Sequence, residues 1–342
     1  MRKVENPSNI AIIRLSSLGD IVHTAPALYQ LRKKFPKAWI SWIVEPLGAK
    51  LLENFSGIDE IIVLDLKNGS LKERLSNLRR FLNKYRGTFD LVVDFQGLIK
   101  SAVLAFLLRG ISLGFHKENL REPFSRLFYK KQAGKFDEKR HVIHKNLHLL
   151  ADLNVGNGRL VYPVKPVDLG VVLRSFMTEH NLLENDFVIL NVGGGWESKT
   201  LSTDQYIEVV NKLKTQYAIA LLWGNQKEKT IAEDVARQTG VPLVPFLSFK
   251  ELIAFIRSAS LLITGDTLAL HVADMVSTPT VGYFGPTLPA RNGSLLPESV
   301  AVWNELPCSN CYKKKCDRAE CLHSLDLDKI TTSVGKINEK HA

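Results

Sequence analysis

Apolar and polar positions follow two alternating patterns along the chain. Short apolar runs of four to six residues have the length and composition of buried strands, and the stretches between them repeat apolar residues at helical spacing. Regular alternation of strands and helices predicts parallel, doubly wound sheets in an α/β fold. The predicted strands are residues 10–15, 39–44, 61–64, 91–94, 187–192, 218–223, 261–264 and 280–284. The predicted helices are residues 20–34, 140–153, 204–214, 230–239, 249–258 and 268–275.

A strand, a glycine-containing turn and a helix follow one another in each half of the chain. In the first half, strand 10–15 leads through turn 16–19 to a helix that begins at Asp20. In the second half, strand 187–192 leads into three consecutive glycines, residues 193–195. Active sites of open α/β sheets lie at the carboxyl ends of strands, so Asp20 is a candidate functional carboxylate. The alternative is that Asp20 serves only as a helix N-cap.

The length of the chain and one proline-rich segment indicate two domains. With 342 residues the chain is long enough for about two domains of ordinary size. Pro163 and Pro166 bracket a short segment between two helical patterns, and we place the boundary there. We therefore predict two Rossmann-like domains, residues 1–165 and 166–325, that face each other across a cleft. Residues 326–342 are expected to form a terminal helix that packs back on the first domain.

Charge is distributed unevenly between the two predicted domains. Residues 1–165 hold 28 lysines and arginines against 15 aspartates and glutamates, and residues 166–342 hold 17 against 20. The formal charges of the two parts are therefore +13 and −3. A basic run is often only a solvated face, but this asymmetry makes an anionic partner plausible for the first domain. The densest basic segment contains Lys117, Arg121, Arg126, Lys130, Lys131, Lys135, Lys139, Arg140 and Lys145, with His141, His144 and His148 between them.

An anionic membrane leaflet or a phosphorylated lipid fits this basic segment better than a nucleic acid. Only Phe124, Phe128 and Tyr129 could stack on bases there, and no nucleic-acid-binding module is recognisable. No apolar run approaches the ~20 residues needed to span a bilayer. The first residues, MRKVENPSN, lack the apolar core of a signal peptide. We expect a cytoplasmic protein that binds no nucleic acid.

Several stretches of the chain match a known family in the same order. These stretches are RLSSLGDIVHTAPAL, WIVEP, VVDFQGLIKSA, REPFSRLFY, LLWG, GDTLALHVAD and PTVGYFGPT. Together they resemble the bacterial lipopolysaccharide heptosyltransferases of glycosyltransferase family nine, and among them the type I enzymes. The resemblance implies a GT-B fold with an N-terminal acceptor domain and a C-terminal nucleotide-sugar domain. It further implies transfer of heptose from ADP-heptose to the Kdo sugar of a lipid A precursor. We expect the protein to be a monomer on the cytoplasmic face of the inner membrane.

The resemblance also assigns roles to individual residues. Inverting glycosyl transfer needs a base for the acceptor hydroxyl and a cation for the departing diphosphate. Asp20 matches the base of the family, and Lys199 matches its phosphate-contacting lysine, so that neither a metal ion nor a cofactor is required. The positions that match donor contacts are Gly194, Gly195, Lys199, Glu228, Asp266, Thr267 and His271. The positions assigned to the acceptor are Ser17, His23, Gln96, Lys100, Arg121 and His141.

The sequence departs from the family pattern at two points of the donor site. Leu201 and Ser202 follow Lys199 where the family has a Trp-Pro pair, and Leu268 stands where the family has a small residue. The donor motifs also have structural alternatives: glycines 193–195 as a flexible turn, Glu228 as an exposed glutamate at a helix start, Asp266 as a helix cap, and His271 as a buried structural histidine.

The cysteines are confined to one segment near the end of the chain. Cys308, Cys311, Cys316 and Cys321 have the spacing C-x2-C-x4-C-x4-C, which makes them a candidate structural zinc site. Free thiols or a redox-labile pair are the alternatives, since the second pair is not a C-x2-C knuckle.

Two other functions remain open from the sequence. One is a type II or other family-nine transferase with a different acceptor, and the other is a nucleotide-binding module without turnover. An NAD-dependent dehydrogenase is disfavoured because no G-x-G-x-x-G follows either first strand.

Overall fold

The computed structural model describes residues 6–155 and 159–339, and contacts divide the chain into two compact units, Met1–Lys165 and Pro166–Ala342. The last residues of the first unit are tied to it by backbone pairing. Phe55 and Val164 form an antiparallel bridge, and the Ser56 amide donates to the Pro163 carbonyl at 2.7 Å. The division therefore follows directly on a segment that is anchored to the first unit.

The first unit is built on a six-stranded parallel sheet. Its strand order is β3-β2-β1-β4-β5-β6, so the order reverses between β1 and β4. Ile10, Ile12 and their neighbours in β1 are fully buried because helices cover both faces of the sheet. The strands are β1 (Asn9–Ile13), β2 (Trp39–Val44), β3 (Glu60–Val63), β4 (Leu91–Asp94), β5 (Ile111–Gly114) and β6 (Lys131–Gln132).

Within residues 6–155, five helices and three 3₁₀ turns connect or follow these strands. The helices are α1 (Leu18–Lys34), α2 (Pro46–Leu52), α3 (Leu71–Tyr85), α4 (Ile99–Leu107) and α5 (Val142–Leu149). The 3₁₀ turns are Lys117–Asn119, Pro123–Phe128 and Ala151–Leu153. The last of them follows α5, so the single helix predicted at residues 140–153 is a helix and a separate tight turn.

The second unit has a five-stranded parallel sheet. Its order is β11-β10-β9-β7-β8, so the reversal lies between β7 and β9. The strands are β7 (Phe187–Asn191), β8 (Ala218–Leu222), β9 (Leu261–Gly265), β10 (Thr280–Phe284) and β11 (Val300–Trp303). The helices are α6 (Gly170–Glu179), α7 (Thr203–Leu213), α8 (Gln226–Thr239), α9 (Phe249–Ser258), α10 (Leu268–Val276), α11 (Pro289–Asn292), α12 (Glu320–His323) and α13 (Leu327–Asn338). A 3₁₀ turn, Glu197–Lys199, precedes α7.

The terminal helix α13 lies on the second unit. Its apolar residues Ile330, Val334 and Ile337 are buried in the same core cluster as strands β7 to β11. This corrects the expectation that the helix packs back on the first domain, because its apolar face is already covered within the second unit. Part of the segment 326–342, residues 340–342, lies outside the described residues.

The predicted α/β class and most predicted elements are confirmed. Both units have parallel sheets covered by helices, as two Rossmann-like domains require. The elements that the sequence pattern missed are short or exposed: β5, β6 and β11 among the strands and α2, α3, α4, α11 and α12 among the helices. In the described part of the chain, no helix is both long and apolar enough to cross a membrane.

Candidate functional site

Asp20 lies in the first turn of α1, directly after β1. Ser17 is the N-cap of this helix, and both its amide and its hydroxyl donate to Oδ2 of Asp20, at 3.1 and 2.9 Å. Asp20 is therefore the third helical residue and accepts from the N-cap, in the manner of a capping box. This corrects the N-cap alternative for Asp20: the cap is Ser17. The Asp20 side chain is about one-third exposed.

Arg14 is a site residue that the sequence analysis missed. Its guanidinium Nη2 lies 2.5 Å from Oδ1 of Asp20, and its Nη1 donates to the Phe95 carbonyl after β4. The Arg14 side chain is only 9% exposed, so the pair is held away from bulk water on the arginine side. Burial of a cation requires a partner, and the motif RLSSLGD contains both charges. That spacing is the signal that could have revealed the pair.

Gln96 joins the ends of the two strands where the first sheet reverses its order. Its Oε1 accepts the amides of Leu15 and Ser16 at 3.1 and 3.2 Å, directly after β1. The Gln96 amide in turn donates to Oδ1 of Asp94, the last residue of β4, at 2.8 Å. Gln96 therefore sets the backbone that leads into α1 and to Asp20. A pairing of this kind depends on strand order and is invisible in the local sequence.

Asp94 is fully buried beneath this turn. Its Oδ2 accepts from the Tyr129 hydroxyl at 2.7 Å, and its Oδ1 accepts the amides of Gln96 and Gly97. Burial raises the pKa of Asp94 despite the hydrogen bonds from Tyr129 and Ser101, which lower it. The same burial, together with the nearby Asp94 charge, raises the pKa of Tyr129. This pair supports the site from below and does not line it.

His23 and His141 lie together in the interior of the first unit. Both are about 95% buried, and their ring centroids are 5.6 Å apart in an edge-to-face arrangement. His141 is the N-cap of α5, where its Nδ1 accepts the Ile143 amide at 3.2 Å. The Asn146 side chain of α5 donates to the His23 carbonyl at 2.9 Å. The two histidines therefore contribute to the packing of α1 against α5.

The two predicted cationic acceptor residues differ in their surroundings. Lys100, in the first turn of α4, has its Nζ 3.5 Å from Oε1 of Glu45, and Lys67 binds the other oxygen of Glu45 at 2.5 Å. Arg121 is exposed just before the 3₁₀ turn Pro123–Phe128. A cavity of about 310 Å³ is lined by Glu45, Pro46, Leu47, Lys50, Asp65, Lys67 and Asn68 at the carboxyl ends of β2 and β3.

Glu228 connects the glycine turn after β7 with the turn after β8. Its Oε2 accepts the Gly224 amide at 2.8 Å, and its Oε1 accepts the Gly195 amide at 3.4 Å. A Cβ at Gly193 would lie 2.6 Å from the Glu228 carboxyl carbon, so a larger residue there would displace this side chain. Gly195 has a φ of +63°, a left-handed conformation that also favours glycine. Gly194 has no room for a side chain, because a Cβ there would lie 2.4 Å from the Thr200 hydroxyl oxygen and 2.8 Å from the Trp196 carbonyl oxygen.

Lys199 and Asp266 form the charged centre of the second unit. Nζ of Lys199 lies 2.7 Å from Oδ2 of Asp266 and 4.1 Å from the centroid of the Trp196 ring. Nε2 of His271 lies 3.5 Å from Oδ1 of Asp266, and the Asn292 side chain donates to Oδ2 at 3.1 Å. Asn292 is a second residue that the sequence analysis missed.

The environment of Asp266 keeps its carboxylate ionised. Burial alone would raise the pKa of this carboxyl, since only 5% of the side chain is exposed. The hydrogen bond with His271 and the charge of Lys199 outweigh burial and hold the pKa of Asp266 well below its ordinary value. A buried anion therefore faces a mostly buried lysine, which orients the ammonium group.

Thr267 is the N-cap of α10, and a small polar network holds it. Its Oγ1 accepts the Ala269 amide at 3.2 Å and also contacts Thr264 and Asn191, at 3.1 and 3.2 Å. Asn191 ends β7, and Thr264 belongs to β9, so the network spans the two strands where the second sheet reverses its order. Ligands of open α/β sheets bind at this position. The predicted donor residues therefore converge on the expected edge of the second sheet.

Most of the chain matches one known protein family. The profile of glycosyltransferase family 9 (heptosyltransferase) matches residues 77–322. The chain belongs to this family. A lipopolysaccharide heptosyltransferase 1 from Campylobacter coli is 30% identical over 297 residues, which are 83% of this chain and 85% of that protein. The predicted family is thereby confirmed.

Two solved structures show the same fold. A family 9 glycosyltransferase from Veillonella parvula has a TM-score of 0.81 at 21% identity and covers 97% of both chains. The E. coli heptosyltransferase WaaC with ADP-2-deoxy-2-fluoro heptose has a TM-score of 0.73 at 20% identity, over 98% of this chain and 100% of that one. The predicted GT-B fold class is confirmed.

Helix α7 begins at the first of the two departures from the family pattern, with Ser202 as its N-cap. In place of the expected Trp-Pro pair, Leu201 is buried in the core and Ser202 is the N-cap, paired with Gln205. The Ser202 amide donates to Oε1 of Gln205 at 3.0 Å, and the Gln205 amide donates back to the Ser202 hydroxyl at 3.2 Å. Leu268, the other departure, is the half-buried first residue of α10.

The cysteine segment holds four free thiols in the part of the chain that the structure describes. Cys308, Cys311 and Cys316 are exposed, Cys321 is half-buried, and all four are free thiols. Within residues 6–155 and 159–339, no three histidines, cysteines or acidic residues are grouped so that they could hold a metal ion. Burial, and then the neighbouring cysteines, raise the pKa of the Cys321 thiol.

Proposed function

We propose that this protein is an inverting heptosyltransferase that moves heptose from ADP-heptose to the Kdo region of a lipid A precursor, without a metal ion or a cofactor. The observation that carries the proposal is the buried Lys199–Asp266 ion pair at the carboxyl ends of β7 and β9. It lies beside the glycine turn and the N-terminus of α10, where backbone amides favour phosphate oxygens. The family membership and the ADP-sugar bound to E. coli WaaC support ADP-heptose as the donor.

In this proposal Lys199 supplies the positive charge for the leaving group. Negative charge on the diphosphate grows as the glycosidic bond breaks, so a cation held near it stabilises the transition state more than the ground state. Asp266 keeps the Lys199 ammonium in place before the donor arrives. When the diphosphate is bound, Lys199 shares its three N–H donors between Asp266 and phosphate oxygens. Glu228 and His271 complete the donor site, with Glu228 at the nucleotide ribose.

Asp20 acts as the base in the proposed reaction. The acceptor hydroxyl gives its proton to the Asp20 carboxylate while its oxygen bonds to the anomeric carbon, on the face opposite the diphosphate. The bond between that carbon and the diphosphate oxygen breaks, and ADP departs with the bonding electrons. One such displacement inverts the anomeric configuration. Arg14 and Ser17 hold the carboxylate in a single orientation.

The acceptor is proposed to bind at the first unit through its basic residues. Lys100 and Arg121 suit the Kdo carboxylate and the lipid A phosphates, since ammonium and guanidinium groups pair strongly with such anions. We assign a positioning role at the acceptor site to His23, Gln96 and His141, because each makes contacts within the first unit. The cavity beside Glu45 adds Lys50 and Lys67 as further cations.

A lipid-linked acceptor implies work at a membrane surface. We propose that the basic first unit acts as a monomer at the anionic cytoplasmic leaflet of the inner membrane. The formal charge of +13 over residues 1–165 supports this location.

A donor and acceptor panel tests the proposed function. ADP-, GDP- and UDP-linked sugars are each incubated with Kdo-lipid A, with heptosyl-Kdo-lipid A, or with no acceptor, and nucleotide release is measured. We expect ADP release from ADP-heptose only with Kdo-lipid A, an inverted anomeric configuration by NMR, and the same rate after EDTA. Preference for the heptosylated acceptor would indicate a type II enzyme. Donor binding without turnover on either acceptor would indicate a non-catalytic module.

A further inference from the structure

Four large apolar side chains are exposed on two adjacent elements of the first unit. Phe124 and Leu127, in the 3₁₀ turn Pro123–Phe128, are 75% and 68% exposed. Ile99 and Phe106, in α4, are 40% and 51% exposed. Single exposed apolar residues are ordinary, but a contiguous set of this size marks an interaction surface. These four residues are called the apolar ridge below.

The two elements run side by side in the same direction. At their beginning, the Ile99 amide donates to Oε2 of Glu122 at 2.7 Å. At their end, the ring centroids of Phe106 and Phe128 are 6.1 Å apart. Residues three apart in a 3₁₀ helix lie above one another, and residues seven apart in an α-helix share a face. Phe124 and Leu127 therefore form one row of the ridge, and Ile99 and Phe106 form the other.

The backbone under the ridge is held firmly. Ser125, between the two exposed residues of the 3₁₀ turn, is fully buried and donates its hydroxyl to the Glu122 carbonyl at 2.7 Å. Ser112 of β5 donates its hydroxyl to the Phe128 carbonyl at 3.2 Å and accepts the Lys130 amide at 2.9 Å. The exposure of Phe124 and Leu127 is thus built into the fold and does not come from a loose segment.

Exposed cations lie on the two elements of the ridge or directly next to them in the chain. Arg109, Arg121, Arg126 and Lys130 belong to the same two elements or flank them, and all four are exposed. The nearby acid Glu122 is engaged by the Ile99 amide. Apolar side chains within a ring of lysine and arginine are typical of proteins that bind anionic bilayers at the interface.

We propose that the apolar ridge inserts into the interface of an anionic lipid bilayer, with the flanking arginines on the lipid phosphates. The proposal rests on the proposed function, because a lipid-linked acceptor must be reached at such a surface. The ridge is continuous with the proposed acceptor residues: Lys100 follows Ile99 directly, and Arg121 precedes the 3₁₀ turn. Docking by the ridge therefore places the acceptor side chains at the height of the lipid head groups.

Vesicle binding by the full-length chain tests the proposal. Phosphatidylcholine vesicles with and without phosphatidylglycerol are mixed with the wild type, with Phe124→Ser/Leu127→Ser, and with Arg126→Gln. We expect binding that requires phosphatidylglycerol, a partition constant at least about tenfold lower for the double variant, and one about fivefold lower for Arg126→Gln. The matched control is Val171→Ser/Val172→Ser, which removes two residues of α6 that are 81% and 65% exposed and should change nothing.

Insertion itself is read from a fluorescent probe. Tryptophan at position 124, introduced as Phe124→Trp, should gain quenching by brominated lipid acyl chains, and Val171→Trp should not. Wild-type binding by the double serine variant, or equal quenching of the two probes, would overturn the proposal. A fall in molecular mass of the lipid-free protein on Phe124→Ser/Leu127→Ser would do the same, since the ridge would then join two copies of the chain.

Activity assays separate this proposal from the proposed function. On a deacylated, water-soluble Kdo acceptor, the double serine variant should be as active as the wild type, whereas on the acceptor in vesicles its rate should fall by about the loss in partition. Loss of activity on the soluble acceptor would place the ridge in the acceptor site and contradict membrane insertion. A wild type that transfers to neither acceptor but binds vesicles through the ridge would refute the proposed function alone.

Discussion

The guanidinium of Arg14 lies 2.5 Å from the carboxylate of Asp20, across the turn that joins β1 to α1. Arg14 also donates to the Phe95 carbonyl, which follows β4. The proposed base is therefore positioned by the two strands between which the first sheet reverses its order. Because Asp20 also accepts from Ser17, both of its oxygens have fixed partners.

Replacing the proposed base should abolish most of the activity. Asp20→Asn retains the size of the side chain but cannot take a proton, so we expect turnover to fall by about 10² or more. ADP-heptose affinity, measured by calorimetry, should change little, because the donor residues lie in the second unit.

The control for Asp20→Asn is Glu251→Gln. Glu251 closes the same type of capping contact, since it accepts the amide and hydroxyl of Ser248 at 2.8 and 2.7 Å. This control should lower stability by about 1 kcal/mol and leave turnover intact. Near-normal turnover of Asp20→Asn would remove Asp20 from the mechanism.

Arg14 should contribute to kcat by positioning the Asp20 carboxylate. Arg14→Gln leaves Asp20 without its cation, and we expect kcat to fall by about tenfold or more while KM for the donor stays within a factor of about two. Arg14→Lys keeps the charge and should restore part of the rate. Arg32→Gln is the matched control, since Arg32 also binds a carboxylate, Asp59, and backbone carbonyls, but at the far end of α1. An equal loss of kcat in both glutamine variants would show that the effect is only structural.

Lys199→Ala should both weaken the binding of ADP-heptose and lower kcat. Loss of one preorganised charge at a leaving group costs about 10² in kcat, and the buried Asp266 loses its cation as well. EDTA should not alter the wild-type rate. If chelation stops transfer while Lys199→Ala is silent, the metal-free mechanism is wrong.

The stability contribution of Asp266 should depend on pH in a defined direction. Its pKa in the folded protein is held below the ordinary 3.8, so the ionised group stabilises the fold above that pH and the contribution is lost as pH falls below it. We expect the Tm difference between wild type and Asp266→Asn to be constant above about pH 5 and to shrink below about pH 4.

The same comparison of Asp266 with Asp266→Asn, made in the Lys199→Ala variant, tests whether the Lys199 charge lowers the pKa of Asp266. Without the Lys199 charge the pKa of Asp266 should rise, so the stability difference between Asp266 and Asn at this position should be smaller, and its loss on acidification should be complete at a higher pH. A difference that grows as the solution is acidified would contradict the assignment.

Glu228 should affect donor binding more than turnover. Glu228→Gln removes the negative charge of a side chain that accepts hydrogen bonds from two backbone amides. We expect KM for ADP-heptose to rise about tenfold, with kcat less affected. Glu233→Gln, on the exposed face of the same helix, is the control, since Glu233 pairs with Lys229 on the surface, at 3.3 Å. Equal effects of the two variants would remove Glu228 from the donor site.

The sequence by itself was sufficient for features that depend on neighbouring residues. Apolar runs and helical spacing located the main strands and helices, such as β2, β4 and α9, because burial of one face leaves a local periodic record. The place of Asp20 after a strand, the glycine turn 193–195 and the charge difference between the halves were readable for the same reason. The order of the matched motifs identified the family.

Only the tertiary structure decided which distant residues meet. Lys199 and Asp266 are 67 residues apart, and they become partners because β7 and β9 are adjacent in the sheet. Arg14 meets the Phe95 carbonyl, and Gln96 meets the turn after β1, because β1 lies beside β4. The roles of His141 as a helix cap and of α13 as part of the second core were likewise settled by packing. Strand order and the partners of buried charges are set by contacts over the whole chain, and no local pattern of residues encodes them.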